Sequence, residues 1–445
     1  MTEVPSGWVL TEIGKVARIE TGRTPSRQDA KFSGYMIPFF KPGDLDKEVC
    51  ISSAEEYVSE IEAQTGRILP PNTLLISCIG NLGKVALTSV DSICNQQINA
   101  ILPTPIFETK FLFYWSLTIK DWMEANSSAT TIRIINKGRF SVAPILVPPL
   151  VEQSRIVAKI NSLSAKSKRA RDHLDHVPKL ISQYKRAVLA KFFGMQWNGE
   201  KFVHTFPVRE LSSIADIQSG IALGKKRSIG QKLVSRPYLR VANVQRGWIA
   251  VDDIKYTDVT LEEAHRLMLL PGDILMNEGG DRDKLGRGWV WSGEVSNCIH
   301  QNHVFRVRLN EKKFPSRFIS YFANEFGRFH FFAEGKQTTN LASISKSNLS
   351  TLLVPLPTVE EAVCIMARIE TTFSMIDRLA AEAASARKLI DHLDQAVLSK
   401  AFRGELVPQD PNDEPASVLL ERIEIGRAGT TSQSRRRGRP KAVPA

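Results

Sequence analysis

The sequence predicts an α+β chain in which two duplicated globular domains are separated, and followed, by long helices that pair as an antiparallel coiled coil. Three observations predict it. Short sequence blocks recur in the same order at a period near 200 residues, a heptad rhythm of apolar residues follows each copy, and a proline-rich junction separates the two kinds of segment. The linear division is a first domain over 1–150, a central helix over 151–196, a second domain over 197–357, a distal helix over 358–406 and a tail over 407–445.

The first copy opens with Glu12-Ile13-Gly14-Lys15-Val16-Ala17-Arg18-Ile19-Glu20-Thr21-Gly22. The second opens with Glu210-Leu211-Ser212-Ser213-Ile214-Ala215-Asp216-Ile217-Gln218-Ser219-Gly220, its apolar positions and closing glycine in step. Next, Ile37-Pro38-Phe39-Phe40-Lys41 and Arg236-Pro237-Tyr238-Leu239-Arg240 are strand-like runs, each ending in a base ahead of a turn. Pro71-Asn72-Thr73-Leu74-Leu75-Ile76-Ser77 and Pro271-Gly272-Asp273-Ile274-Leu275-Met276-Asn277 read as turn, buried strand and loop. The fourth block sets Cys94-Asn95-Gln96-Gln97-Ile98-Asn99-Ala100 against Cys298-Ile299-His300-Gln301-Asn302-His303-Val304. The fifth sets Val147-Pro148-Pro149-Leu150-Val151-Glu152-Gln153 against Val354-Pro355-Leu356-Pro357-Thr358-Val359-Glu360-Glu361, with Glu361 where the first copy has Gln153. Amphipathic helical pieces around 111–123 and 315–332 complete the copies.

After each junction, apolar and small residues recur alternately four and three apart. Ile160, Leu163, Leu174, Ile181 and Val188 mark the seam of the central helix, and Ile369, Ile376, Leu379, Ile390, Leu393 and Val397 that of the distal one. Both helices close on a base in the last turn and a glycine beyond it, Lys191 with Gly194 and Lys400 with Gly404. Pro178 is expected to kink the first. Each stripe needs a partner, and the other copy's helix is the expected one, antiparallel because a globular domain lies between them. Pairing between chains, or docking onto another protein, would satisfy the stripe as well.

The length of 445 residues accommodates two or three cored units. No stretch supplies the roughly 18 apolar residues of a membrane span, and no basic start precedes a long apolar run, which predicts a cytoplasmic protein without a membrane partner. The cysteines Cys50, Cys78, Cys94, Cys298 and Cys364 lack CxxC spacing and predict reduced thiols with no structural zinc. A net charge of +12 points to a polyanionic partner, yet the last 19 residues carry six bases and no acid, so half of the excess sits in the tail.

A duplicated fold whose surface has diverged suits a protein that reads two different short stretches of one linear polymer. DNA recognition needs bases that position the backbone and groups that read base edges. The DNA-binding candidates are Arg23, Arg27, Lys31 and Lys41 in the first copy, and Lys225, Lys226, Arg227, Lys232, Arg236, Arg240 and Arg246 in the second. The loops after Ser77 and after Met276 add Asn81, Lys84, Asn277, Arg282 and Lys284, whose amides and guanidinium suit adenine and guanine edges. For the cluster Lys225-Lys226-Arg227 a solvated basic loop is the plain alternative.

No catalytic or metal-binding set stands out. Gly80-Asn81-Leu82-Gly83-Lys84-Val85 lacks the full GxxxxGK[ST] spacing of a phosphate loop. Cys298, His300 and His303 lie close together, but in a strand His303 would face away, and their duplicates Cys94, Gln96 and Asn99 carry no imidazole.

The sequence resembles the specificity subunits of type I restriction-modification enzymes over residues 1 to about 410. The resemblance is carried by Pro5-Ser6-Gly7-Trp8 ahead of the first domain and by the Pro148-Pro149-Leu150-Val151-Glu152-Gln153 junction. The helix ends Lys185-Arg186-Ala187-Val188-Leu189 and Asp394-Gln395-Ala396-Val397-Leu398-Ser399-Lys400-Ala401-Phe402-Arg403-Gly404-Glu405-Leu406 carry the rest. The resemblance implies two target recognition domains, each binding half of an asymmetric bipartite double-stranded DNA target, and paired helices that fix the gap. It further implies docking of two methyltransferase subunits that transfer methyl from S-adenosylmethionine to adenine N6, and restriction (translocase-endonuclease) subunits that use ATP and magnesium. The chain itself would be no enzyme and bind no cofactor, and it lacks an NPPF or DPPY motif and a Walker motif. A scaffold that joins protein partners without reading DNA is an alternative of a different class; an independent enzyme is a third. In the tail, Arg435-Arg436-Arg437-Gly438-Arg439-Pro440-Lys441 resembles an AT-hook, making Arg437 and Arg439 candidates for a narrow minor groove, with nonspecific phosphate contact as the alternative.

Overall fold

The computed structural model describes residues 4–24, 36–59, 63–64, 66–128, 132–197, 202–224, 231–280, 285–334, 336–337, 342–423 and 425. The chain divides into two compact units, Met1–Leu174 with Ala386–Ala445, and Asp175–Ser385. The cut falls inside both long helices, so each unit holds one globular copy and half of each helix.

The strands of the first unit are β1 (Val9–Glu12), β2 (Ile19–Thr21), β3 (Met36–Phe40), β4 (Cys50–Ile51), β5 (Glu56–Ser59), β6 (Leu74–Ser77), β7 (Val85–Thr88), β8 (Ile93–Cys94), β9 (Ile98–Ile101) and β10 (Pro144–Val147). They form a five-stranded sheet β2-β9-β6-β7-β4, a three-stranded sheet β5-β3-β8 and the pair β1-β10. Every residue of β6, β7 and β9 is buried. Their alternation sends Leu74, Ile76 and Val85 to a core shared with Phe111, Trp115, Phe140 and Ile156, and Leu75, Ala86 and Ala100 to a second core around Phe40 and Leu45. A sheet covered on both faces has no use for polar alternation, hence its near-continuous apolar strands.

The second unit repeats the plan with β11 (Met195–Trp197), β12 (Phe202–His204), β13 (Val208–Glu210), β14 (Ala215–Ser219), β15 (Leu233–Leu239), β16 (Val244–Gln245), β17 (Trp248–Ile249), β18 (Lys255–Thr260), β19 (Ile274–Asn277), β20 (Gly279–Gly280), β21 (Gly288–Val290), β22 (Ile299–His300), β23 (Val304–Leu309), β24 (Lys336–Gln337), β25 (Ala342–Ser343) and β26 (Leu353–Pro355). The order β14-β23-β19-β21 matches β2-β9-β6-β7, and β18-β15-β22 matches β5-β3-β8. Pairing fixes the register: Ile19 faces Ile101 as Ile217 faces Val307, and Phe40 faces Cys94 as Leu239 faces His300. The duplicate of Cys94 is therefore His300, and that of Gln97 is His303. This corrects the fourth sequence block, which slid by two residues to align Cys94 with Cys298. The fifth block is corrected likewise, because Glu12 faces Pro144 as Glu210 faces Leu353, which makes Glu361 the counterpart of Glu152.

The central helix runs over Leu150–Phe192 and the distal over Val359–Ala401, and Pro178 lies inside the first without ending it. Gly194 and Gly404 follow in the left-handed region, at φ 63° and 75°. The halves run antiparallel in each unit. In the first, Ile156 and Ile160 share a core with Val397 and Ala401 while Arg171 reaches Asp394. In the second, Leu189 and Phe193 share one with Ala362, Met366 and Ile369, and Lys185 pairs with Asp377 at 2.5 Å.

Ile160, Val188, Ile369, Ile376 and Val397 are buried, and Leu163, Leu174, Ile181 and Ile390 half-buried, as the heptads predict. Leu379 and Leu393 are 58% and 52% exposed and are corrected out of the seam. The position one residue later turns inward instead, Ala380 and Asp394, the latter drawn in by Arg171. Among the described residues no helix is long and apolar enough to cross a membrane, and all five cysteines are free.

Candidate nucleic-acid interface

Several loops of the first unit converge at one pole, and backbone hydrogen bonds hold them there. The β6–β7 loop is closed by Ser77 N–H to Lys84 O (2.9 Å) and Gly83 N–H to Ser77 O (3.1 Å). Cys78 N–H donates to Gln97 O in the β8–β9 loop (2.7 Å), and Ile135 N–H to Cys78 O (2.9 Å). Arg23 N–H, just past β2, donates to Cys94 O (2.8 Å). The second unit makes the same bonds: Asn277 N–H to Arg287 O (2.9 Å), Gly286 N–H to Asn277 O (3.1 Å), Glu278 N–H to His303 O (3.0 Å), Ile344 N–H to Glu278 O (2.8 Å) and Ile221 N–H to His300 O (2.8 Å).

Two glycines make this convergence possible. A Cβ on Gly22 would stand 2.1 Å from Asn95 O, and one on Gly220 2.0 Å from His300 O. Neither has a positive φ, so it is the close approach of the β8–β9 or β22–β23 loop that requires glycine.

Arg23 and Asn81 are exposed at the first pole, with Lys84 half-buried beside them. Lys41, in the turn after β3, is engaged by Glu56 and lies 5.7 Å over the Phe39 ring, and its counterpart Arg240 bonds Asp253 at 2.6 Å. Asn277 is fully buried, its Nδ2 donating to Val244 O (2.9 Å) and Val241 O (3.3 Å). That geometry corrects its assignment as a base reader, because the amide props the loop from within. Lys232 and Arg246 are exposed and Arg236 half-buried on β15. Arg246 lines a cleft of about 740 Å³ against the helices. Its Lys185, Arg186 and Arg317 are each paired, with Asp377, Glu325 and Glu370. Arg27, Lys31, Lys225, Lys226, Arg227, Arg282, Lys284, Arg437 and Arg439 lie outside the described residues.

One cluster brings together residues far apart in the sequence. Glu20, 6% exposed on β2, gathers Arg18 (2.8 Å), Lys137 (3.3 Å) and Arg67 around one carboxylate, leaving an excess of positive charge beside Arg23. Such a fixed set of cations suits phosphate oxygens. Gln96 and Gln97 were missed as well: Thr24 Oγ1 donates to Gln96 Oε1 (2.6 Å) and Asn95 Nδ2 to Gln97 Oε1 (3.1 Å).

The Cys298, His300 and His303 group is no ligand set. Burial pushes the Cys298 thiol up to about 12 and the His300 imidazole down to about 4, while His303 is exposed and bonded to Glu278. Among the described residues no cluster of His, Cys, Asp and Glu could hold a metal.

Residues 5–173 match the family model described as the type I restriction modification DNA specificity domain. The chain is 23% identical to the type I restriction enzyme EcoKI specificity subunit of Escherichia coli K12, over 96% of this chain and 97% of that one. It is 22% identical to the StySPI specificity subunit of Salmonella potsdam, over 96% of each. The crystal structure of the HsdS subunit from Thermoanaerobacter tengcongensis shares the fold, with a TM-score of 0.60 and 18% identity over 91% of this chain and 98% of that chain.

Proposed function

We propose that this chain is a specificity subunit of the type I restriction-modification family, the sequence-reading subunit of such a complex. Each unit reads one half of an asymmetric, bipartite double-stranded DNA target with the loops at its pole. The observation that carries this is a single set of backbone bonds built twice, with different side chains hung on it: Cys78, Gln97 and Lys84 in one unit, Glu278, His303 and Arg287 in the other. A protein reading two different half-sites needs the same frame and unlike readers. The cations around Glu20 position the phosphate backbone and carry no sequence information.

The chain performs no chemistry of its own. Methyl transfer from S-adenosylmethionine to adenine N6 belongs to two methyltransferase subunits docked on it, and ATP- and magnesium-dependent translocation and cleavage to restriction subunits. As DNA-processing machinery the complex works in the cytoplasm. Long-read sequencing that detects adenine methylation, in a host with and without the chain, tests the reading. One bipartite motif should disappear with the chain; an unchanged set of motifs refutes it.

A further inference from the structure

We propose that Glu278 is a base-reading residue of the second unit, accepting a hydrogen bond from an exocyclic amino group of adenine or cytosine in the major groove, and that His303 is the positioning residue that aims it. The inference rests on the DNA-reading function above and names the group that reads one position.

Glu278 stands on a rigid base. Its N–H donates to His303 O at 3.0 Å and its carbonyl accepts from Ile344 N–H at 2.8 Å, which ties it to two other elements of the pole. Its side chain is held as firmly: His303 Nδ1 lies 2.8 Å from Oε2, and Asn302 Nδ2 lies 3.5 Å from His303 Nε2. An amide donor facing Nε2 favours the tautomer with the proton on Nδ1, the one that donates to the carboxylate. The second carboxylate oxygen, Oε1, has no hydrogen bond among the described residues.

Stability does not account for this pair. The His303 and Glu278 side chains are 55% and 29% exposed, and ion pairs so open to water contribute about 0–1 kcal/mol. A carboxylate beside the bases of a DNA-binding pole also repels phosphate. What it does well is accept from cytosine N4 or adenine N6, contacts that discriminate a base pair by about 1–3 kcal/mol. The first unit shows the frame without the charge. Cys78 is buried in place of Glu278, and Gln97 in place of His303 is turned to Asn95 Nδ2. The two units thus differ in hydrogen-bonding chemistry where their backbones coincide.

The test co-expresses the full chain with its methyltransferase subunits in a host free of adenine methylation and maps methylated motifs by long-read sequencing. Glu278→Gln should retain the first half-site and relax one base pair of the second, admitting thymine or guanine, whose O4 or O6 accepts from the new amide. Discrimination there should fall by about 5- to 150-fold. His303→Gln, which can still donate to Glu278, should preserve the motif, whereas His303→Ala should relax the same base pair. Retention of the first half-site reports a folded, assembled chain. The proposal is overturned if Glu278→Gln leaves discrimination unchanged, spreads its effect evenly over the second half-site, or abolishes methylation altogether. A wild-type complex that marks no bipartite motif refutes the DNA-reading function itself, before any substitution is compared.

Discussion

Gly220→Ala should destabilise the second unit by several times the cost of an ordinary surface substitution. The added Cβ would sit 2.0 Å from His300 O and 2.5 Å from both Gln301 O and His300 C, against 3.4 Å for ordinary contact, so the β22–β23 loop must retreat by about 1.4 Å. That movement breaks Ile221 N–H to His300 O (2.8 Å) and Asn302 N–H to Ile221 O (2.9 Å). Two lost bonds at about 1 kcal/mol each, together with about 1–3 kcal/mol of overpacking, outweigh the roughly 0.5–1 kcal/mol that alanine gains by restricting the unfolded chain. The net loss is about 2–4 kcal/mol. Urea unfolding of the purified chain, followed by tryptophan fluorescence, measures it. Gly224→Ala is the control, because Gly224 has a φ of +75° but open space around its Cβ, and should cost only about 1 kcal/mol. A Gly220→Ala midpoint equal to wild type, or no worse than Gly224→Ala, would refute the close-approach argument.

The remaining predictions concern charge and pH. Burial holds the His300 pKa near 4 against an ordinary 6.5, so the second unit is at full strength above pH 6.5 and should lose about 3 kcal/mol as pH falls towards 4. His300→Cys, the first unit's residue at this register, should lower stability at pH 7.5 through loss of the Val304 bond yet flatten the acid decline; an equally steep decline by urea titration would reject the assignment. Burial raises the Glu152 carboxyl above its usual range despite the Trp8 indole N–H at 3.0 Å, so stability falls as pH climbs through the raised value. Glu152→Gln, which still accepts from Trp8, should therefore raise the urea midpoint at pH 8 and leave it nearly unchanged at pH 4.5. Arg67→Ala and Lys137→Ala should each weaken binding of the assembled complex to target and random duplexes by a similar factor and reduce the slope of log affinity against log salt by about 1. Loss confined to the target duplex, read by fluorescence anisotropy, would argue against phosphate contact.

The duplication, the α+β character and the helix pair were legible because they rest on periodicity, which burial enforces. Periodicity also explains two of the slips. A strand repeats its facing every two residues, so sliding the fourth block by two kept every apolar residue on its own face, and the matching letters of Cys94 and Cys298 then decided wrongly. In the distal helix the apolar stripe is wider than the contact, and Leu379 and Ala380 both fit a heptad; only the position of the facing helix selects Ala380. The Glu20 cluster could not be read at all. Arg18, Arg67 and Lys137 are spread over 120 residues and no periodic rule connects them. The acid that collects them had a faint signal: a glutamate at the centre of a three-residue strand, two residues after an arginine and two before a glycine required by close approach.

Stability and specificity are separable in this fold because the pole is held by main-chain bonds. Of the contacts that place Glu278, Cys78, Gln97 and His303, those fixing the loops are N–H to carbonyl bonds that any residue but proline can make. Side chains at the pole can therefore change without dismantling it, which is how Cys78 and Glu278 occupy one frame. The anchors cannot change so freely, since Gly22 and Gly220 lie where backbone meets backbone. Opposite phenotypes should follow from neighbouring substitutions. Gly220→Ala should cost stability and second half-site recognition together, while Glu278→Gln, bonded to the same β22–β23 loop through His303 O, should alter the base accepted and leave the unfolding free energy within about 0.5 kcal/mol of wild type. If Glu278→Gln instead destabilised the chain as much as Gly220→Ala, the carboxylate would be part of the frame, and the division between frame and reader would fail.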